Sequence, residues 1–151
     1  MDNGAKKPAV LVSAEEESSL SRQVLVWLNT YPDLPVAIIN YESLRDDEPS
    51  MAMSSMQGAA IVRRYIAGGH MAEYQFKVIY RIKPGNSNDK RLDADELLNR
   101  LGAWAQQNPP VLAEGLTART VRAASRSSLF ARYESGDEDH QIFITLTYEV
   151  I

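Results

Sequence analysis

The sequence predicts an α+β fold, a mostly antiparallel β-sheet with two amphipathic helices packed on one face, a long Met-rich loop and a protruding hairpin. Three observations carry this expectation. Tyr74, Phe76, Val78, Tyr80 and Ile82 alternate with Gln75, Lys77 and Arg81, the period of a strand buried on one face, with Ile79 alone breaking the polar side. Ile142, Ile144, Leu146, Tyr148 and Val150 repeat that pattern within Gln141 to Ile151. Two further stretches carry apolar residues at helical spacing behind capping residues.

In chain order, Ser13 with Glu16 three residues on is a capping-box pattern, and Glu15, Glu16 and Glu17 suit the positive end of a helix dipole. Leu20, Val24, Trp27, Leu28 and Tyr31 form the apolar stripe, and Pro32 stops it. Val36 to Tyr41 has the short β-branched run of a largely buried strand. Residues 44–58 lack periodicity and read as a long loop, in which Met51, Met53 and Met56 either form an adaptable contact surface or lie over their own core. Gly68-Gly69 between two β-rich arms predicts a hairpin over Ile61 to Ile82. Asn88 or Asp89 caps the second helix, whose stripe is Leu97, Leu98, Leu101, Trp104 and Ala105, and Asn108-Pro109-Pro110 ends it. Strands are expected from Thr120 to Ala124 and from Leu129 to Glu134, then the last strand after a polar turn at Ser135 to Asp139.

A chain of 151 residues fits one domain, residues 1–151, with 1–12 expected as a flexible or extended arm. The absence of cysteine excludes disulfides, thiol nucleophiles and thiolate metal sites. A formal charge of −4 argues against general nucleic-acid binding, which is driven by clustered Lys and Arg. No apolar run reaches the roughly 18 residues of a membrane span, and no signal-peptide-like run opens the chain, so a cytoplasmic setting is expected.

Catalytic patterns do not emerge. His70 and His140 lack spaced ligand partners and read as exposed turn residues, while Asp46-Asp47-Glu48 and Asp137-Glu138-Asp139 read as solvated turns. Neither a phosphate-binding Gly-rich loop nor a Gly-x-Ser-x-Gly elbow is present. A non-enzyme without catalytic, cofactor or metal site is therefore expected. Arg63, Arg64, Lys77 and Arg81 make the hairpin basic. They form either a solvated face with ion pairs to Glu73 or half of a charge-complementary subunit contact.

An ordered set of segments extends the reading: Trp27 to Pro32, Val62 to Ile66 with Gly68, Tyr74-Gln75-Phe76, Leu98 to Trp104, and Ile144 to Glu149. In this order they resemble a bacteriophage virion family of minor capsid or tail terminator proteins. The resemblance implies a structural protein of the virion, assembled in the host cytoplasm. As a homohexameric ring it would cap the head-proximal end of the tail tube, end its polymerisation and join it to the head connector. Its partners would be further copies of itself, the tail tube protein and the head–tail connector protein. DNA would only pass through the lumen, which six copies of charge −4 would make acidic. Met51, Met53, Met56, Arg63, Arg64, Gly68, Gly69, His70, Lys77 and Arg81 are the candidate subunit or partner interface. The alternative is a small protein-binding adaptor domain using the Met51 to Met56 loop.

Overall fold

The computed structural model describes residues 9–46, 49–113 and 115–151. Its elements are α1 (Ala14–Leu28), β1 (Ile39–Tyr41), β2 (Ser50–Arg64), β3 (His70–Ile82), α2 (Asn88–Gln107), β4 (Leu116–Ala123), β5 (Ser128–Arg132) and β6 (Glu138–Val150). The strands form one sheet in the order β1-β2-β3-β6-β4. Among the described residues only β1 with β2 is parallel. Because β3 occupies one edge of β6 along its whole length, β4 and β5 share the other, β4 along residues 144–150 and β5 along 138–141.

The capping residue of α1 is Ser13, whose Oγ accepts from Glu16 N–H at 3.1 Å, and the helix buries Leu20, Val24, Trp27 and Leu28. On α2 the cap is Ser87, one residue before the expected Asn88, and the buried stripe is Ala94, Leu97, Leu98, Leu101, Gly102 and Ala105. The helices meet at Trp27 and Trp104, whose rings stack 5.5 Å apart, and Trp27 Nε1 donates to the Asn108 carbonyl at 2.8 Å. Both helices lie on the face formed by Tyr74, Phe76 and Val78 of β3 and Ile142, Ile144, Leu146 and Tyr148 of β6, all buried in one core.

The expected long loop, residues 44–58, is a strand from Ser50 on. From Ser50 onward the chain pairs with β3, and Met51, Ala52 and Met53 are all buried. Met51 and Met53 enter the helix-side core, while Ala52 sits opposite Ile79 on the other face. A segment covered on both faces shows no alternation, and this one has few β-branched residues to mark it. The hairpin arm therefore starts at Ser50, eleven residues before the expected Ile61. It does not protrude, since β3 pairs with β6 throughout, and only residues 65–69 project as its tip. The strand expected at Val36 is confined to Ile39–Tyr41.

Two irregularities shape β2. Between Ser55↔Phe76 and Ala59↔Tyr74 it inserts Met56, Gln57 and Gly58 against Gln75 alone, with Gln57 and Gly58 at φ 59° and 82°. Val62 is a second bulge, which turns Arg63 onto the face of Met71.

The sheet's two edges are treated differently. Along β2, β1 covers residues 51–53, Val10 and Val12 exchange backbone hydrogen bonds with Ile61 and Ala59, and two carboxylates cap the bulge between them. Glu42 accepts from Ser54 Oγ and Ser55 N–H, and Glu17 Oε1 accepts from Ala59 N–H at 2.6 Å. Residues 10–12 of the expected arm are thus laid along the sheet, and 1–8 lie outside the described residues. On the far side β4 is the outer strand, and among the described residues no strand pairs with its outer edge. Only its end is capped, by Gln106 Oε1 accepting from Ala123 N–H at 2.7 Å.

Candidate interaction surface

Alternation along β3 and β6 sends Glu73, Gln75, Lys77, Ile79 and Arg81 to the face away from the helices, beside Thr147, Thr145, Phe143, Gln141 and Asp139. Among the described residues no helix packs there. At its middle, Lys77 Nζ lies 4.6 Å from the centre of the Phe130 ring, which is 49% exposed. Phe143 is the cross-strand neighbour of Lys77, and Arg122 stands opposite Thr145. A cation over an exposed ring is worth about 0.5–1 kcal/mol, enough to bias the position of Lys77 without immobilising it.

Toward the Ile82 end the face closes over an ionic network. Arg81, its side chain 14% exposed, reaches Asp139 at 2.7 Å from Nε, contacts Asp46, and stacks 4.9 Å from the Tyr133 ring. The bond to Asp139 holds the Arg81 guanidinium pKa above its ordinary value. Behind it Arg91 and Arg132 bracket Glu138 at 2.9 and 3.3 Å. The Arg91 bond draws the Glu138 carboxyl below the usual carboxylate range.

Asp137, Glu138 and Asp139 are not a solvated turn, being 4%, 4% and 2% exposed with basic partners far away in sequence. His140 is not an exposed turn residue either. It is buried, with Nδ1 2.8 Å from Asp95 Oδ1 and Nε2 3.4 Å from Glu138 Oε1. Arg81 is spent inside the subunit, so it is no contact arginine. Of the Asp46-Asp47-Glu48 run, Asp46 pairs with Arg81 and the other two lie outside the described residues.

At the opposite end, Arg63 and Arg64 are exposed, as is Ile66 at the tip. Gly68 is open, whereas Gly69 backs onto the Val150 carbonyl, where a Cβ would come within 2.2 Å. His70 is half-buried, its Nε2 3.0 Å from Glu16 Oε2, which also accepts from the Tyr148 hydroxyl at 2.6 Å. Burial first, and that bond second, raise the Tyr148 pKa. Arg119 pairs with Glu149, and this bond chiefly, with Tyr65 adding to it, draws the Glu149 carboxyl down.

Of the ten expected interface residues, Arg63, Arg64 and Gly68 are exposed and Lys77 is half-exposed on the open face. Met51 and Met53 are core, Met56 is half-buried in the bulge, and Gly69, His70 and Arg81 hold the subunit together. The adaptor reading therefore loses the flexible loop on which it stood. Phe130 and Arg122 were not anticipated, since β4 and β5 show weak periodicity and nothing in the sequence sets them beside Lys77.

Charge divides by layer. The two helices hold seven carboxylates and four basic side chains, and strands β2 to β6 hold seven basic side chains and four carboxylates. Among the described residues no group of three or more His, Cys, Asp or Glu is placed to hold a metal ion, and no helix is long and apolar enough to cross a membrane. A concavity of about 510 Å³ runs beneath α2 between Pro35, Pro49, Tyr80 and Lys90. No protein-family model matches the chain, and no curated protein matches it.

Proposed function

We propose that this chain is a bacteriophage tail terminator, a structural protein of the virion. A ring of its copies caps the head-proximal end of the tail tube and joins it to the head connector. The ordered resemblance of segments from Trp27 to Glu149 supplies the phage-tail context. The observation that carries the reading is the opposite charge of the two layers, strands net basic and helices net acidic. Copies that each present two unlike, complementary surfaces associate head-to-tail, and such contacts close into rings when the rotation between neighbours fits.

Capping follows from the same asymmetry. A ring whose one rim matches the end of the tube, and whose other rim does not repeat it, stops growth. Purified protein mixed with tail tube protein, viewed by negative stain, should give rings at one end of shortened tubes. Tubes of unchanged length with no rings would defeat the proposal.

A further inference from the structure

We infer that the Lys77 patch on the uncovered sheet face is the seat for the outer surface of α2 from a second copy of this chain. This contact specifies the interface of the ring proposed above and rests on that reading. The seat consists of Lys77 with Phe130 against it, Phe143 beside it, and Arg122 on the neighbouring β4. Arg122 is exposed and, among the described residues, has no carboxylate partner. Of the other arginines of this side, Arg81 is neutralised by Asp139 and Arg119 by Glu149, while Arg63 stands opposite Met71 at the hairpin-tip end of the face. At the middle of the face, among the described residues, Lys77 and Arg122 make no ion pair and can meet an incoming charge.

The matching surface lies on the opposite side of the molecule. Asp89, Asp93 and Glu96 recur at i, i+4 and i+7 along the first half of α2, all exposed, and none makes an ion pair among the described residues. Leu92, 57% exposed, stands among them and offers an apolar contact for the Phe130 ring. Lys90 and Arg100 flank this stretch, and between them basic and aromatic meet acidic and aliphatic. Because the two surfaces face opposite ways, the contact cannot be two-fold and must run from one copy to the next. A nucleic acid fits the face less well. Arg63, Lys77 and Arg122 are spread along the face with Glu73 among them, and cations so separated give phosphates little to bind.

The chain has no cysteine, so paired substitutions give a clean readout. Leu92→Cys chains mixed with Phe130→Cys chains under mild oxidation, with tail tube protein present, should cross-link between copies. The yield should exceed that of Val26→Cys with Phe130→Cys, an exposed control, by about tenfold, the ratio set by a contact worth roughly 1.4 kcal/mol. Lys77→Glu/Arg122→Glu and Asp93→Lys/Glu96→Lys should each keep the native circular dichroism and lose rings. A mixture of the two variants should regain them, because both reversed and both native pairings are then available.

The outcomes separate. Rings with no cross-link above control, or no rescue by the mixture, overturn this contact and leave the ring standing. Cross-linking without rings supports the contact and defeats the ring. An oligonucleotide bound tightly by the native chain and released by Lys77→Glu/Arg122→Glu, with no cross-link, assigns the face to nucleic acid and overturns the inference.

Discussion

Arg81 holds three groups at once, and its removal would be felt most by the one that cannot follow it into water. Asp46 is exposed and would simply rehydrate, but Asp139 is 2% exposed and would be left as a buried, unpaired charge. Arg81→Ala should therefore cost about 3–5 kcal/mol by urea denaturation, and reversal to Glu should cost more. Glu138 contributes to the acid limb of stability. Its carboxyl is held low by Arg91, so its contribution is complete above the ordinary carboxylate pKa of about 4.3 and is lost as pH falls through the lowered folded value. The urea midpoint should drop below about pH 4, and Arg91→Ala should flatten that drop. Residues 137–139 mark the limit of residue-by-residue reading. Three acids after Ser-Gly are typical of a turn, and only the folded placement of Arg81 and Arg91, distant in sequence, brings them into the interior.

Elements were legible where apolar and polar residues divide by face. The alternations in β3 and β6 and the capped stripes of both helices could be read directly because one face is apolar and the other polar, even where, as at Thr145 and Glu149, the polar face is itself buried. β2 could not, since Met51, Ala52 and Met53 are buried on both faces and the insertion at residues 56–58 interrupts its register. The hairpin tip gives a test of geometry. Gly68 and Gly69 have similar positive φ, 98° and 83°, but only Gly69 backs onto Val150. Gly68→Ala should cost about 1 kcal/mol and Gly69→Ala clearly more, measured by thermal melting. The capped edge gives another. Glu17→Ala strips the acceptor from Ala59 N–H in a strand edge, and a lost cap that leaves a buried donor costs about 1–3 kcal/mol. Light scattering of that variant should also show faster aggregation, as an uncapped edge accepts foreign strands.

At the scale of the whole molecule, the sheet is finished on one side and unfinished on the other. The β2 edge is sealed by β1, by Val10 and Val12 and by two carboxylates, while β4 and the helix-free face remain available. A subunit that must associate in one sense only needs this arrangement, and the proposed copy-to-copy contact uses the available side. The central β3–β6 ladder has a further consequence, in time rather than in space. It pairs His70 with Val150 and Ile82 with Glu138, so the strands at the middle of the sheet are distant along the chain. Loop-closure entropy must be met before any of those pairs is rewarded, which places folding in the slow range of about milliseconds to seconds. Until β6 docks, β3 is itself a bare edge with Tyr74, Phe76 and Val78 uncovered. Ile144→Val should cost about 0.5–1.5 kcal/mol and act mainly by slowing refolding, whereas Ser13→Ala should act mainly by speeding unfolding, as stopped-flow chevrons would show. The time before β6 docks is when this chain is most exposed to mispairing.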